Sequence, residues 1–129
     1  MGINLIAVGG YSEVGRNMTA LEIDDEIVIL DMGLNIPAIV GLEENQELLS
    51  TEDMIRIKAI PDDSVLFDKR DKVKAIIIGH PHLDHLAATP YLLKNYKDVP
   101  VIGTQYTINV MKKIIKDKNR KLSNQAIVL

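Results

Sequence analysis

Residues 79–86 read Gly-His-Pro-His-Leu-Asp-His-Leu and contain His80, His82 and His85, all three histidines of the chain, with Asp84 among them. Imidazole nitrogens and a carboxylate at this spacing suit zinc, and also manganese or iron. In an extended segment, side chains two apart point to the same side, so His80 and His82 can reach one ion together. Once the chain turns, Asp84 and His85 can reach a second. Two ions about 3.5–4 Å apart can hold a bridging hydroxide and clamp a phosphodiester or another hydrolysable group. The competing reading, ordinary surface histidines in a loop, suits a lone histidine better than three within six residues. The interleaved Pro81, Leu83 and Asp84 and the internal position argue against a tag.

Such a cluster needs a rigid support. The run Val73-Lys74-Ala75-Ile76-Ile77-Ile78 reads as a buried strand delivering it. Upstream, Asn4–Val8, Met18–Ile23 and Ile27–Leu30 read as strands, with Asp24-Asp25-Glu26 as a hairpin turn, suggesting an antiparallel meander. Residues 34–72 are the least regular. Glu43–Leu49 and Thr51–Ile57 suggest short helices, the second capped by Thr51, and Pro61-Asp62-Asp63 marks a turn. The acids here read as a solvated face, not a catalytic pair. Downstream, Thr89 caps a helix over Pro90–Tyr96 that backs the cluster. Val99–Gly103 is a strand. Thr104 caps a helix from about Gln105 to Lys116 with Ile108, Met111 and Ile115 on one face, and Ala126–Leu129 begins another strand.

Two further features bear on chemistry. Gly10 and Gly15 have P-loop separation, but Arg16 and Asn17 stand where Lys and Ser/Thr are needed and a strand follows. The glycines read instead as turn residues. Asp31 ends a strand that should be buried, where a carboxylate wants a partner. By spacing it is equally a turn former before Gly33 or a residue that hydrogen-bonds and orients the metal ligands.

At 129 residues the chain is one domain at most, and its 47% apolar residues can form a core. No apolar run approaches the roughly 18–20 residues of a membrane helix. The N-terminus lacks a signal-peptide pattern, and Ile6 stands where myristoylation needs Ser or Thr. No cysteine is present, so disulfides and thiolate zinc sites are excluded. A cytoplasmic protein with no membrane association is expected. Net charge is −3, yet residues 112–121 hold six basic residues and one acid. Such a patch can hold phosphates, although lysines at a helix C-terminus, favoured by its dipole, explain most of it.

His80-Pro81-His82-Leu83-Asp84-His85 resembles the signature of the metallo-β-lactamase superfamily, which includes lactamases, thioesterases and nucleases. Gly9-Gly10-Tyr11-Ser12-Glu13-Val14-Gly15-Arg16-Asn17-Met18 resembles the N-terminal loop of the β-CASP nucleases, ribonuclease J most closely. Asp31-Met32-Gly33-Leu34, Ile36-Pro37, Ile60-Pro61-Asp62, Pro90-Tyr91-Leu92-Leu93 and Val99-Pro100-Val101 are similar to the archaeal form of that family, and the likeness runs from about Leu5 to Ile115. It implies an α/β fold, part of an αββα sandwich, with a mixed sheet carrying the metal loop at one edge. It implies two zinc ions, manganese or magnesium being alternatives. His80 and His82 would bind one ion, and Asp84 and His85 the other. Asp84 would also manage the proton of the attacking water, and Asp31 would support the site. The activity implied is 5′→3′ exonucleolytic, and in part endonucleolytic, hydrolysis of single-stranded RNA by a metal-bound hydroxide. The complete protein would be a homo-oligomer. The RNA-binding residues are not assigned.

The chain departs from that family at Gly79, where Thr or Ser is usual, and at Leu86-Ala87-Ala88, where a glycine is usual. Histidines that complete the family's site, and the β-CASP domain, are absent from residues 1–129. The expectation is the N-terminal part of a metallo-β-lactamase domain. Alternatives are a non-catalytic metal-binding or interaction module, and another hydrolase of the superfamily acting on an ester, thioester or lactam. A sheet cut short should also leave an open apolar edge prone to pairing.

Overall fold

The computed structural model describes residues 2–40 and 49–129. The helix suggested over Glu43–Leu49 therefore lies, apart from Leu49, outside the described residues. Strands β1 (Ile3–Gly9), β2 (Met18–Ile23) and β3 (Glu26–Leu30) form the expected antiparallel meander, with Leu5 opposite Leu21 and Leu21 opposite Val28. Strands β4 (Val73–Ile77), β5 (Val101–Gly103) and β6 (Ala126–Val128) then add in parallel, giving one six-stranded sheet in sequential order. The metal loop leaves the C-terminal end of β4. That strand is interior, flanked by β3 and β5, so the expected placement at one edge of the sheet is corrected.

The helices are α1 (Ile36–Val40), α2 (Thr51–Arg56), α3 (Leu83–Leu86), α4 (Thr89–Leu92) and α5 (Gln105–Asp117), with 3-10 segments at Asp63–Lys72 and Leu93–Asn95. Thr104 caps α5 as its sequence suggests, accepting the Thr107 N–H at 3.2 Å, and Ile108, Met111 and Ile115 are buried. Two caps shift by one residue. Ser50, not Thr51, caps α2 in a reciprocal box with Asp53. Ala88, not Thr89, precedes α4, because the Thr89 hydroxyl instead donates to the Leu86 carbonyl at 2.8 Å.

One sheet face is covered. Met18, Ala20, Ile27, Ile29, Ile76 and Val101 pack under Met54, Leu66, Leu92, Tyr96, Ile108 and Met111. The opposite face carries Thr19, Leu30, Ile77, Ile102 and Ile127 side by side across β2 to β6, flanked by Leu5 at 63% exposure. The chain thus supplies one β layer and one α layer, and an apolar face, beyond the expected edge, is left open.

Asp63 corrects the reading of a solvated acidic face. It is 3% exposed and accepts from the Tyr96 hydroxyl at 2.6 Å and from Asn95 Nδ2 at 3.2 Å, with an Arg70 guanidinium nitrogen at 3.6 Å. Burial, reinforced by Asp63, pushes the Tyr96 hydroxyl far above its ordinary pKa. A group whose folded-state pKa is raised contributes stability that is fully present below its unfolded value, about 10 for tyrosine, and is lost as pH rises beyond it. Tyr96→Phe is therefore expected to cost about 1–3 kcal/mol at neutral pH. It should also flatten the alkaline fall in stability, which denaturant melts on either side of about pH 10 would show.

Candidate metal centre

The C-terminal end of β4 and the first turn of α3 place the four sequence-predicted ligands together. Ile78 N–H bonds to the Ile102 carbonyl at 2.9 Å, holding the strand direction to the start of the loop. His82 is extended at φ −76°, ψ 154° and begins α3, with the His85 N–H bonded to its carbonyl at 3.0 Å. The rings of His80 and His82 lie 4.0 Å apart between centroids, and those of His80 and His85 lie 5.0 Å apart. The two-residue alternation thus brings the first pair together, and the helical turn brings His85 back to them.

Asp31 ties this loop to the end of β3. Its backbone is left-handed, φ +67°, and its N–H bonds to the Ile77 carbonyl at 2.8 Å. Aspartate tolerates that conformation better than most residues. One carboxylate oxygen accepts the Gly79 N–H at 2.9 Å, and the other lies 2.9 Å from His85 Nδ1. A carboxylate only accepts, so Nδ1 of His85 donates in this contact, which leaves Nε2 as the nitrogen that would face a metal ion. Nε2 lies 3.7 Å from an Asp84 carboxylate oxygen. Gly79 thus meets Asp31 through its backbone amide. Ala88 N–H still reaches the Met32 carbonyl at 2.9 Å, so the alanines at 87–88 do not prevent close backbone approach there.

The donor set fits a metal ion: three imidazoles and a carboxylate, one imidazole held at Nδ1 by a second carboxylate. The side chains are gathered but not converged. Among the described residues no group of three His, Asp or Glu side chains forms a cage able to hold an ion. His80 Nδ1 instead accepts the His82 N–H at 3.3 Å.

Two residues that position the site went unrecognised in the sequence. Asn17 donates from Nδ2 to the Asp84 carbonyl at 2.9 Å and from its own backbone N–H to the same oxygen at 3.3 Å. Its carbonyl accepts the Gly33 N–H at 2.9 Å. Around Gly33, Met32 N–H reaches the His85 carbonyl at 2.8 Å and Leu34 N–H reaches the Leu83 carbonyl at 3.0 Å. The Gly9–Asn17 loop is itself braced. Glu13 accepts from Arg16 Nε at 2.8 Å and from Gly10 N–H at 3.2 Å, and the Arg16 contact holds the Glu13 carboxyl below its usual pKa. Gly10 and Gly15 have φ of +86° and +93°, the turn role suggested for them. Asn17 entered the sequence reading as a mismatch to the P-loop Ser or Thr and as part of the Gly9–Met18 run, and neither signal pointed to Asp84.

Two clefts flank the cluster. One of about 480 Å³ is lined by Val14, Leu34, Pro37, Pro81, His82 and Asp84. The other, about 320 Å³, reaches Asp31 and His85 past Tyr11 and Asn17. Both clefts open beside the donor set.

Residues 11–118 match the family model of the metallo-beta-lactamase superfamily. The chain belongs to the metallo-beta-lactamase superfamily. Membership of this superfamily implies metal ions as cofactors. The chain is 43% identical over 131 residues to ribonuclease J of Methanocaldococcus jannaschii, covering 100% of this chain and 29% of that protein. It is 44% identical over 115 residues to ribonuclease J of Pyrococcus abyssi, covering 88% of this chain and 25% of that protein. The chain therefore spans less than a third of either relative. Among solved structures, human tRNase Z, short form, aligns with a TM-score of 0.54 at 15% identity, covering 99% of this chain and 43% of that one. That likeness concerns the superfamily fold alone. Among the described residues no helix is long and apolar enough to cross a membrane.

Proposed function

We propose that this chain is the N-terminal part of the metallo-β-lactamase domain of a ribonuclease J-like enzyme that hydrolyses single-stranded RNA, the β-CASP domain lying outside residues 1–129. The 5′→3′ exonucleolytic mode, with endonucleolytic cleavage in addition, is part of this reading, as are a cytoplasmic location and a homo-oligomeric complete protein. The observation that supports it is the Asp31–His85 contact at 2.9 Å, which orients one histidine through Nδ1 beside two others. The two ribonuclease J relatives supply the substrate class.

His80 and His82 would hold one ion, and Asp84 and His85 the second, zinc in the first instance and manganese or magnesium as alternatives. When bound, the ions supply positive charge to the phosphodiester and activate the attacking water. The chain's own work is positional. Asp31 holds the His85 ring and the Gly79 amide. Asn17 and Gly33 hold the backbone of Asp84. The Asp84 carboxylate, beside His85 Nε2, would receive the water's proton.

A second reading, a metal-binding module without catalysis, is favoured by the open arrangement of the donors among the described residues. Metal content per chain after chelator-free purification, followed by an RNA cleavage assay, separates the two. Two tightly held ions with RNA hydrolysis, abolished by chelator and restored by zinc or manganese, are expected for the enzyme. Tight metal binding with no RNA cleavage by the complete protein would leave only the module. Hydrolysis of a chromogenic lactam or ester with RNA untouched would move the site to another branch of the superfamily.

A further inference from the structure

At the other end of the sheet from the metal loop lies a concavity of about 270 Å³. Lys94 and Lys97, following α4, line one side, and Arg120 and Lys121, following α5, line the other, with Ser123 and Asn124 between. No Asp or Glu lines it. Among the described residues none of these four cations has a carboxylate partner within 4.0 Å; Lys58, Lys74, Lys112, Lys116 and Lys118 have none either, but they do not line this hollow. Four uncompensated cations around one hollow repel each other until an anion enters.

The hollow is built into the fold. Two of the head groups are fixed at its rim on residues outside the lining: Lys94 Nζ donates to Thr51 Oγ1 at 3.0 Å, and the Arg120 guanidinium lies 5.2 Å from the centre of the Tyr91 ring, leaving Lys97 and Lys121 as the free charges. Asn124, 6% exposed, donates from Nδ2 to the Tyr96 carbonyl at 2.8 Å and the Val99 carbonyl at 2.9 Å. That pins the segment entering β6 against the segment entering β5. Both are N-terminal ends of parallel strands, whereas the metal loop leaves a C-terminal end.

Lysine ammonium groups and an arginine fork recognise phosphate oxygens. The lining offers no aromatic ring on which a base could stack, so phosphate rather than base is what it can read. We infer that this concavity anchors the phosphodiester backbone of a single RNA strand, independently of sequence and away from the metal centre. This rests on the proposed RNA substrate.

The test is fluorescence anisotropy of a single-stranded oligoribonucleotide on the intact protein, in chelator so that nothing is cleaved, across a salt series. Lys97→Gln with Lys121→Gln removes two exposed charges of the hollow. Lys112→Gln with Lys116→Gln removes two exposed charges of α5 outside it. The first pair is expected to weaken binding roughly tenfold and to make the slope of log K against log salt less steep by about 1.4, two phosphates at about 0.7 each. The second pair should change neither. An unchanged slope and affinity in the first pair, or an equal loss in the second, would overturn the anchor. So would a protein that binds tripolyphosphate but no RNA. If the first pair weakens RNA binding in a protein that proves unable to hydrolyse RNA, the anchor stands and only the catalytic reading falls.

Discussion

Asp31→Asn is expected to lower metal affinity about 10–100-fold and RNA hydrolysis with it, while leaving the metal-free fold intact. The substitution is nearly isosteric, and asparagine tolerates the φ of +67° that this position demands. The side-chain oxygen can still accept the Gly79 N–H. The amide nitrogen then takes the place of the carboxylate oxygen that lies 2.9 Å from His85 Nδ1. An N–H donor there faces the imidazole proton. The ring relieves the clash by moving that proton to Nε2, which removes the lone pair that Nε2 would offer a metal. Competition with a chromophoric chelator measures the affinity, and thermal melts without metal measure the fold. Unchanged affinity would sink the assignment of Asp31 as the residue that orients His85. A fold lost together with affinity would show that Asp31 serves the β3–β4 junction first.

Gly33→Ala should be among the most damaging single-methyl additions in the chain, at or above the roughly 1–3 kcal/mol typical of overpacking. A Cβ there would lie 1.6 Å from the Asp84 carbonyl oxygen and 2.7 Å from the Asn17 backbone nitrogen. Both obstacles are backbone, so no side chain can swing aside. Either the Met32–Leu34 segment or the turn carrying Asp84 and His85 must move, and metal affinity falls with stability. Gly79→Ala is the control. Its Cβ would meet only an Asp31 carboxylate oxygen at 3.7 Å, an ordinary contact. Denaturation midpoints of the two variants, measured side by side, should differ by several-fold in their shift from wild type. Equal midpoints would mean that the close approach at Gly33 is not maintained in solution.

The parts of this protein that were legible in its sequence are those set by short-range geometry. The His-x-His-x-Asp-His spacing is read within one strand end and one helical turn, so the rings of His80, His82 and His85 come together as their separation suggests. The meander and α5 follow from periods of two and 3.6 residues. Asp31 was half legible. A carboxylate ending a buried strand needs a partner, but which partner depends on β4 pairing beside β3.

Tertiary structure alone decided the rest. Asp63 sits among acidic, turn-forming neighbours, and only the approach of Tyr96, 33 positions away, explains its burial. Asn17 meets the Asp84 carbonyl across 67 positions, and no local period encodes that contact. The basic run at 112–121 read as a solvated helix end, and for Lys112 and Lys113 it is one. Arg120 and Lys121, however, join Lys94 and Lys97 because β5 and β6 run parallel and return both crossovers to the same end of the sheet. Sequence by itself determined which candidate ligands are offered and the elements that carry them, because ligand chemistry and periodicity are local. Which carboxylate holds His85, what clamps Asp84 and which cations line one hollow were decided only by packing, because each depends on chain segments brought together across the sheet.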